Sequence, residues 1–238
     1  MTRWLASLVL TTAMLCGWAE RSYGQTIPQL EINVFGSANA HTKNKFEIGF
    51  PQTVNPIPAE FRLDDAIGGG IRFNVHTGGH WGEELFYSFE PNEAHFIRST
   101  SPQQQSDLRI QIHNLGVNGI FYFNNDDAVK TRPFLSFGLG ATVYRPTSET
   151  RSIVRDPLRG NLPGFSQSNE FAFNYGMGFK HRLFDIYGVR MDIRHFLGRN
   201  PSFSLARSSN DPNATVFPAD GAIHSFEASA GIVFYFKK

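Results

Sequence analysis

Apolar and polar residues alternate along this chain in runs of about ten, most of them closed by an aromatic, and no other feature limits the fold as strongly. The final run is the clearest. Phe226, Ala228, Ala230, Ile232, Phe234 and Phe236 share one parity, while Ser225, Glu227, Ser229, Gly231, Val233 and Tyr235 share the other. Successive side chains of a strand point to opposite faces, so this run carries one apolar face and one mostly small, polar or charged face.

The same reading holds upstream. Leu30, Ile32 and Val34 stand against Glu31, Asn33 and Ser37; Ile67, Ile71, Phe73 and Val75 against Gly68, Gly70, Arg72 and Asn74; Leu85, Tyr87 and Phe89 against Glu84, Ser88 and Glu90. Later runs set Leu135, Phe137, Leu139 and Val143 against Ser136, Gly138, Gly140 and Thr142. Phe171, Phe173, Tyr175, Met177 and Phe179 stand against Asn174, Gly176, Gly178 and Lys180, and Val189, Met191 and Ile193 against Arg190, Asp192 and Arg194. The fourth run changes phase: Leu108, Ile110 and Ile112 share one parity, Leu115, Val117, Phe121 and Phe123 the other. A phase change calls for one extra residue, which predicts a β-bulge near His113-Asn114.

Aromatic residues make up 14% of the chain, yet mean hydropathy is negative at −0.27. No segment of the mature chain approaches the ~18 apolar residues of a membrane helix, so a membrane role requires strands that alternate. The expected fold is all-β: an eight-stranded antiparallel up-and-down transmembrane β-barrel, apolar side to lipid and polar side to the lumen. A lipocalin-like soluble barrel, the competing reading, would reverse the faces.

Residues 1–24 read as a cleavable signal peptide: Arg3 is its positive end, Trp4 to Trp18 its apolar stretch, and Ser22-Tyr23-Gly24 its cleavage site. Leu15 occupies the position where lipidation of Cys16 would want a small residue. Residues 25–238 then form one barrel domain without cysteine, which excludes disulfides and thiolate metal sites. Removing Arg3, Arg21 and Glu20 leaves 20 basic and 20 acidic residues, so charge gives no reason to expect a nucleic-acid partner. Connections at 40–66, 91–107, 145–169 and 198–223 are long; those at 76–80, 124–132 and 181–187 are short. Barrels of this kind keep short turns in the periplasm and long loops outside.

In these runs, this loop alternation and the ending Gly231-Ile232-Val233-Phe234-Tyr235-Phe236, the chain resembles the small eight-stranded outer-membrane barrels, of the outer membrane protein A transmembrane-domain and protein X type. The resemblance covers residues 25–238. It implies the outer membrane of a Gram-negative-type bacterium, with outer-membrane lipid and the barrel assembly machinery as partners, the latter reading the C-terminal aromatic; here Lys237-Lys238 follow it. That family includes adhesins, resistance factors, anchors and a few lipid-modifying enzymes, so it leaves function open.

The inward charges are the main constellation: Glu31, Arg72, Glu84, Glu90, Lys180, Arg190, Asp192, Arg194 and Glu227. Unpaired buried charge is costly, so they are expected to form a structural polar network that fills the lumen. Centring the turn 76–80 on Gly78 places Arg72 opposite Glu84, and Arg194 with Glu227 is a second expected pair. Trp81, Phe89, Phe123, Tyr144, Phe171, Tyr187, Phe226 and Phe236 lie near strand ends and read as interfacial aromatic girdles.

No catalytic residue, metal site or cofactor is expected. His224 and Ser225 are adjacent in one strand and point apart, which spoils the set His224-Ser225-Glu227 for nucleophilic catalysis. His76, His80, His113, His181, His195 and His224 show no zinc-ligand spacing with carboxylates on one face. Gly68-Gly69-Gly70 precedes a strand and not a helix, unlike a phosphate loop. The remaining functional weight falls on the long loops, as a surface for an extracellular ligand or protein. The expected function is therefore a non-enzymatic structural or surface-interaction barrel, with a lipid-modifying barrel enzyme as the alternative.

Overall fold

A computed structural model describes residues 29–48, 57–76, 79–98, 104–124, 129–156, 164–207, 210 and 221–236. The proposed signal peptide lies outside the described residues. The elements are β1 (Gln29–His41), β2 (Asn44–Ile48), β3 (Ile57–Leu63), β4 (Ala66–His76), β5 (Trp81–Arg98), β6 (Gln104–Tyr122), β7 (Thr131–Pro146), α1 (Ser148–Arg155), β8 (Ser168–Arg182), β9 (Tyr187–Arg199) and β10 (Ala222–Phe236).

Eight strands close into a ring. β1 pairs with both β4 and β10, β5 with both β4 and β6, and β6 through β10 follow in order, all antiparallel. Closure removes every strand edge from the lipid zone, which a membrane-embedded sheet requires. Among the described residues no helix is long and apolar enough to cross a membrane. Ile67, Phe171 and Ile193 lie on the outer wall at 81%, 66% and 61% exposure, while Arg72, Arg190 and Arg194 are each 1% exposed inside it. An apolar outside with a charged inside is a barrel built for lipid, so the lipocalin-like reading is set aside.

Most barrel strands are longer than a bilayer needs, β5 and β6 most of all. β5 has 18 residues and β6 has 19, where about 9–11 suffice to cross. The excess stands beyond the long-loop rim, so the connection expected at 91–107 is largely sheet. There β3 takes the place of β4 beside β5, and β2 pairs with β3, so the connection expected at 40–66 contains a hairpin. The segment 145–169, read as loop, contains α1. Its start is capped by Thr147, whose hydroxyl accepts from the Thr150 amide at 3.2 Å.

The bulge expected near His113-Asn114 is absent. β5–β6 and β6–β7 pair without a break through Phe89↔His113 and Asn114↔Thr142. The extra residue sits instead between β3 and β4. Leu63 faces Ala94 and Gly69 faces Phe89, so the five residues 64–68 lie against the four residues 90–93. Asn92 holds this irregularity: its side chain donates to the Asp64 carbonyl at 2.8 Å and accepts from the Asp64 amide at 3.1 Å.

The phase change in β6 has another cause. Alternation continues, but the environment inverts. Ile110 and Ile112 point inward at 1% and 2% exposure, while Leu115 points out at 42%. Within the lipid zone the apolar residues face out; beyond it they face in. The inward group beyond the rim is one cluster: Phe61, Leu63, Ala94, Ile110, Ile112, Tyr144, Val154, Phe165, Phe203 and Ile223.

Candidate functional site

The lumen is a column of buried charges. Towards the short-turn end, Lys180 pairs with Glu31 and donates to the Tyr122 hydroxyl at 2.7 Å. In the middle, Glu84 takes Arg190 on one oxygen at 2.7 Å and Arg194 on the other at 2.6 Å. Asp192 receives Arg190 at 2.7 Å and Arg72 at 3.2 Å, and Arg72 reaches Glu227 at 2.8 Å. Towards the long loops, Glu90 meets His41 at 2.8 Å. All nine of the sequence-expected lumen charges are buried in this column.

Their partners differ from the expected ones. Arg72 does not pair with Glu84, because the hairpin centres one residue later than Gly78: His76 faces Gly82, which puts Gly79, at φ +69°, in the middle. Moving the centre by one residue moves each partner by two, which keeps the face and changes the neighbour. Arg72 therefore faces Phe86, and Glu84 faces Asn74. Arg194 does face Glu227 across β9–β10, but its ion pairs run to Glu84 and Asp192.

Three inward phenylalanines support the arginines. The Arg72 guanidinium lies 3.6 Å from the ring centre of Phe35, that of Arg190 4.5 Å from Phe134, and that of Arg194 5.4 Å from Phe86. Each ring in turn lies over a glycine. A Cβ on Gly70 would come within 2.7 Å of Phe35, one on Gly178 within 2.8 Å of Phe134, and one on Gly116 within 2.9 Å of Phe86. The inward glycines make room for an aromatic layer beneath the charges. Sequence reasoning missed these rings, although Phe35 sits at the polar parity of its run.

Of the girdle residues, Trp81, Phe123, Phe171, Phe226 and Phe236 are exposed on the outer wall and Phe89 and Tyr187 are half-buried. Tyr144 is the correction. It is 2% exposed and points inward into the apolar cluster, because alternation in β7 runs unbroken to Pro146.

That cluster caps the long-loop end of the column. Phe203 is its centre, 0% exposed and stacked on Phe165 at 4.9 Å, with Phe61 and Phe96 edge-on at 6.4 and 6.2 Å. Its backbone is left-handed, at φ +50°, as is that of Ser204 at +62°. Such a conformation is unfavourable for a bulky residue, and burial of the ring holds it in place.

Two histidines outside the sequence-expected set make the more suggestive contacts. His41 Nδ1 lies 2.8 Å from Ser225 Oγ and its Nε2 2.8 Å from Glu90, a Ser-His-Glu relay inside the lumen, with the His41 and Glu90 side chains only 3% and 4% exposed. The set His224-Ser225-Glu227 does not assemble; His224 instead stacks on His195 on the outer wall. His95 lies beyond the rim between Asp107, at 2.6 Å from Nδ1, and Asp64, at 3.1 Å from Nε2, with Glu93 near. Burial works to lower the His95 pKa, but the hydrogen bond to Asp107 and the nearby Asp64 carboxylate outweigh it and the pKa is raised. Asp107 is lowered, first by a hydrogen bond from Gln105 and then by His95. The spacing of single strands hid this group, whose members come from β5, β6 and the β3–β4 junction.

The chain is similar to the outer membrane protein OprG from Pseudomonas aeruginosa, with 13% identity, 90% of this chain and 99% of that chain covered, and a TM-score of 0.55. The fold is that of the small eight-stranded outer-membrane barrels. Neisserial surface protein A is similar at 10% identity, covering 90% of this chain and all of that chain, with a TM-score of 0.49. No family model and no curated protein sequence matches the chain. In this barrel, then, geometry has to carry the functional reading.

Proposed function

We propose that this outer-membrane barrel is a non-conducting, non-enzymatic anchor that presents its long-loop end as an interaction surface outside the cell. One observation carries the reading: the lumen is closed twice, by the ionic column and by the apolar cap above it. Eight strands enclose a space that side chains can fill, and here arginines stacked on phenylalanines fill it. The outward faces of the elements that build the cap, β3, the ends of β5 and β6, and α1, together with β2, are the part free to meet a partner.

The lipid-modifying alternative gains one feature, the Ser225-His41-Glu90 relay. Its residue types suit acyl transfer. Its enclosure argues for a structural role, since a substrate carbonyl would have to reach Ser225 past the cap.

Orientation tests the reading. Protease added to whole cells should cut within 145–169 or 198–223 and spare 76–80 and 181–187. Cleavage confined to the short turns would place the working end in the periplasm and defeat the proposal.

A further inference from the structure

We propose that Glu93, His95 and Asp107 form a site for a divalent transition-metal ion of the zinc type on the outer face of β5 and β6, with Asp64 holding the imidazole from its other side. One oxygen of Glu93, one of Asp107 and a ring nitrogen of His95 lie within 4.8 Å of one another. These three donors come from two neighbouring strands: His95 faces Asp107 across β5–β6, and Glu93 lies two residues along on the same face.

The imidazole is the deciding group. It is 8% exposed, and both of its nitrogens face carboxylates: Nδ1 stands 2.6 Å from Asp107 Oδ1, and Nε2 stands 3.1 Å from Asp64 Oδ1 without an aligned hydrogen bond. A neutral imidazole carries one N–H, so it can satisfy one carboxylate and must turn a lone pair towards the other. Protonation resolves the conflict, since an imidazolium donates from both nitrogens, and where the ring is neutral a metal cation at that lone pair resolves it in the proton's place. With a metal on Nδ1, the proton sits on Nε2 and faces Asp64, the carboxylate–histidine–metal order that fixes a ligand's tautomer. Glu93 adds a further anionic donor.

Two guanidiniums stand beside the group, Arg62 opposite His95 and Arg109 opposite Glu93, and among the described residues neither forms an ion pair with Glu93 or Asp107. Arg109 bonds Glu149 at 3.5 Å, and Arg62 lies 3.8 Å from Asp64. The site is reachable from water, since Asp107 is exposed and Glu93 half-exposed. His95 is six residues past Phe89, or about 20 Å along the strand, which places it beyond the lipid zone. One imidazole and two carboxylates suit zinc better than calcium, and three protein ligands leave a position for water.

The test uses the full chain, folded in detergent and stripped with chelator, titrated calorimetrically with Zn²⁺. One Zn²⁺ should bind per chain, with Ca²⁺ binding far more weakly. Asp64→Asn should weaken Zn²⁺ binding about 10–100-fold, and His95→Ala or Glu93→Gln by more. A His195→Ala/His224→Ala double variant, which alters the exposed histidine stack, should bind as the unmutated chain does. Retained heat-shifted gel mobility confirms folding of each variant; if His95→Ala fails to fold, Glu93→Gln gives the same reading. X-ray absorption should show one nitrogen among oxygen ligands. Absence of saturable Zn²⁺ binding, unchanged binding in His95→Ala or Glu93→Gln, or loss in the His195/His224 variant would overturn the proposal.

Discussion

The Arg72 guanidinium lies 3.6 Å over the ring of Phe35, and that ring occupies the space a side chain on Gly70 would need. Glycine, phenylalanine and arginine thus form one unit, and two similar units stand on Phe86 and Phe134. Gly70→Ala should destabilise the barrel, since the new methyl would meet the Tyr87 carbonyl oxygen as well as the ring, and backbone cannot move aside cheaply. A cost of about 1–3 kcal/mol is expected for such overpacking. Gly79→Ala, where a Cβ would meet nothing within 4 Å but φ is positive, should cost less than this. Urea unfolding from lipid vesicles checks both, and an equal or reversed order would count against the stacked unit.

Glu84 binds two arginines and Glu227 only one of the three. Glu84→Gln should therefore cost about 3–5 kcal/mol, the usual penalty for stranding buried charge. In double-mutant cycles Glu84 should couple more strongly to Arg194 than to Arg72. Stronger coupling to Arg72 would restore the hairpin centred on Gly78.

This pair shows what the sequence made legible and what it did not. Face follows from parity, and parity survives a two-residue shift, so the inward set of charges could be read from the runs. Partner choice depends on the turn's centre and on charges reaching across the lumen from strands far apart in sequence, such as Asp192 and Arg72. The fold class and strand number were open to reading for the same reason. The apolar cap was not, because Ile110 and Ile112 look like lipid-facing residues until their distance from the bilayer is known. His41 and His95 were passed over since each meets its partners on other strands.

Phe203 anchors the cap through its ring while its backbone is held at φ +50°. Phe203→Ala should loosen the cap by about 3–5 kcal/mol and leave the barrel standing. Limited proteolysis should then cut within 198–223 faster, with gel mobility of the folded barrel unchanged. Loss of the folded barrel itself would show that the cap is part of the barrel's own core.

The Ser225-His41-Glu90 relay lies within the lumen, with its histidine and glutamate enclosed and its serine half-buried, and a serine below the cap should stay silent. A fluorophosphonate probe should leave the folded protein unlabelled in both detergent and vesicles. Labelling that disappears in Ser225→Ala would revive the enzyme reading.

The lumen is closed by charge and then by apolar packing. Reconstitution of the unmutated protein into planar bilayers, with current recorded under a steady voltage, tests it most directly. A closed lumen gives no stable conductance steps. A large, steady, ohmic conductance that scales with inserted protein would contradict it.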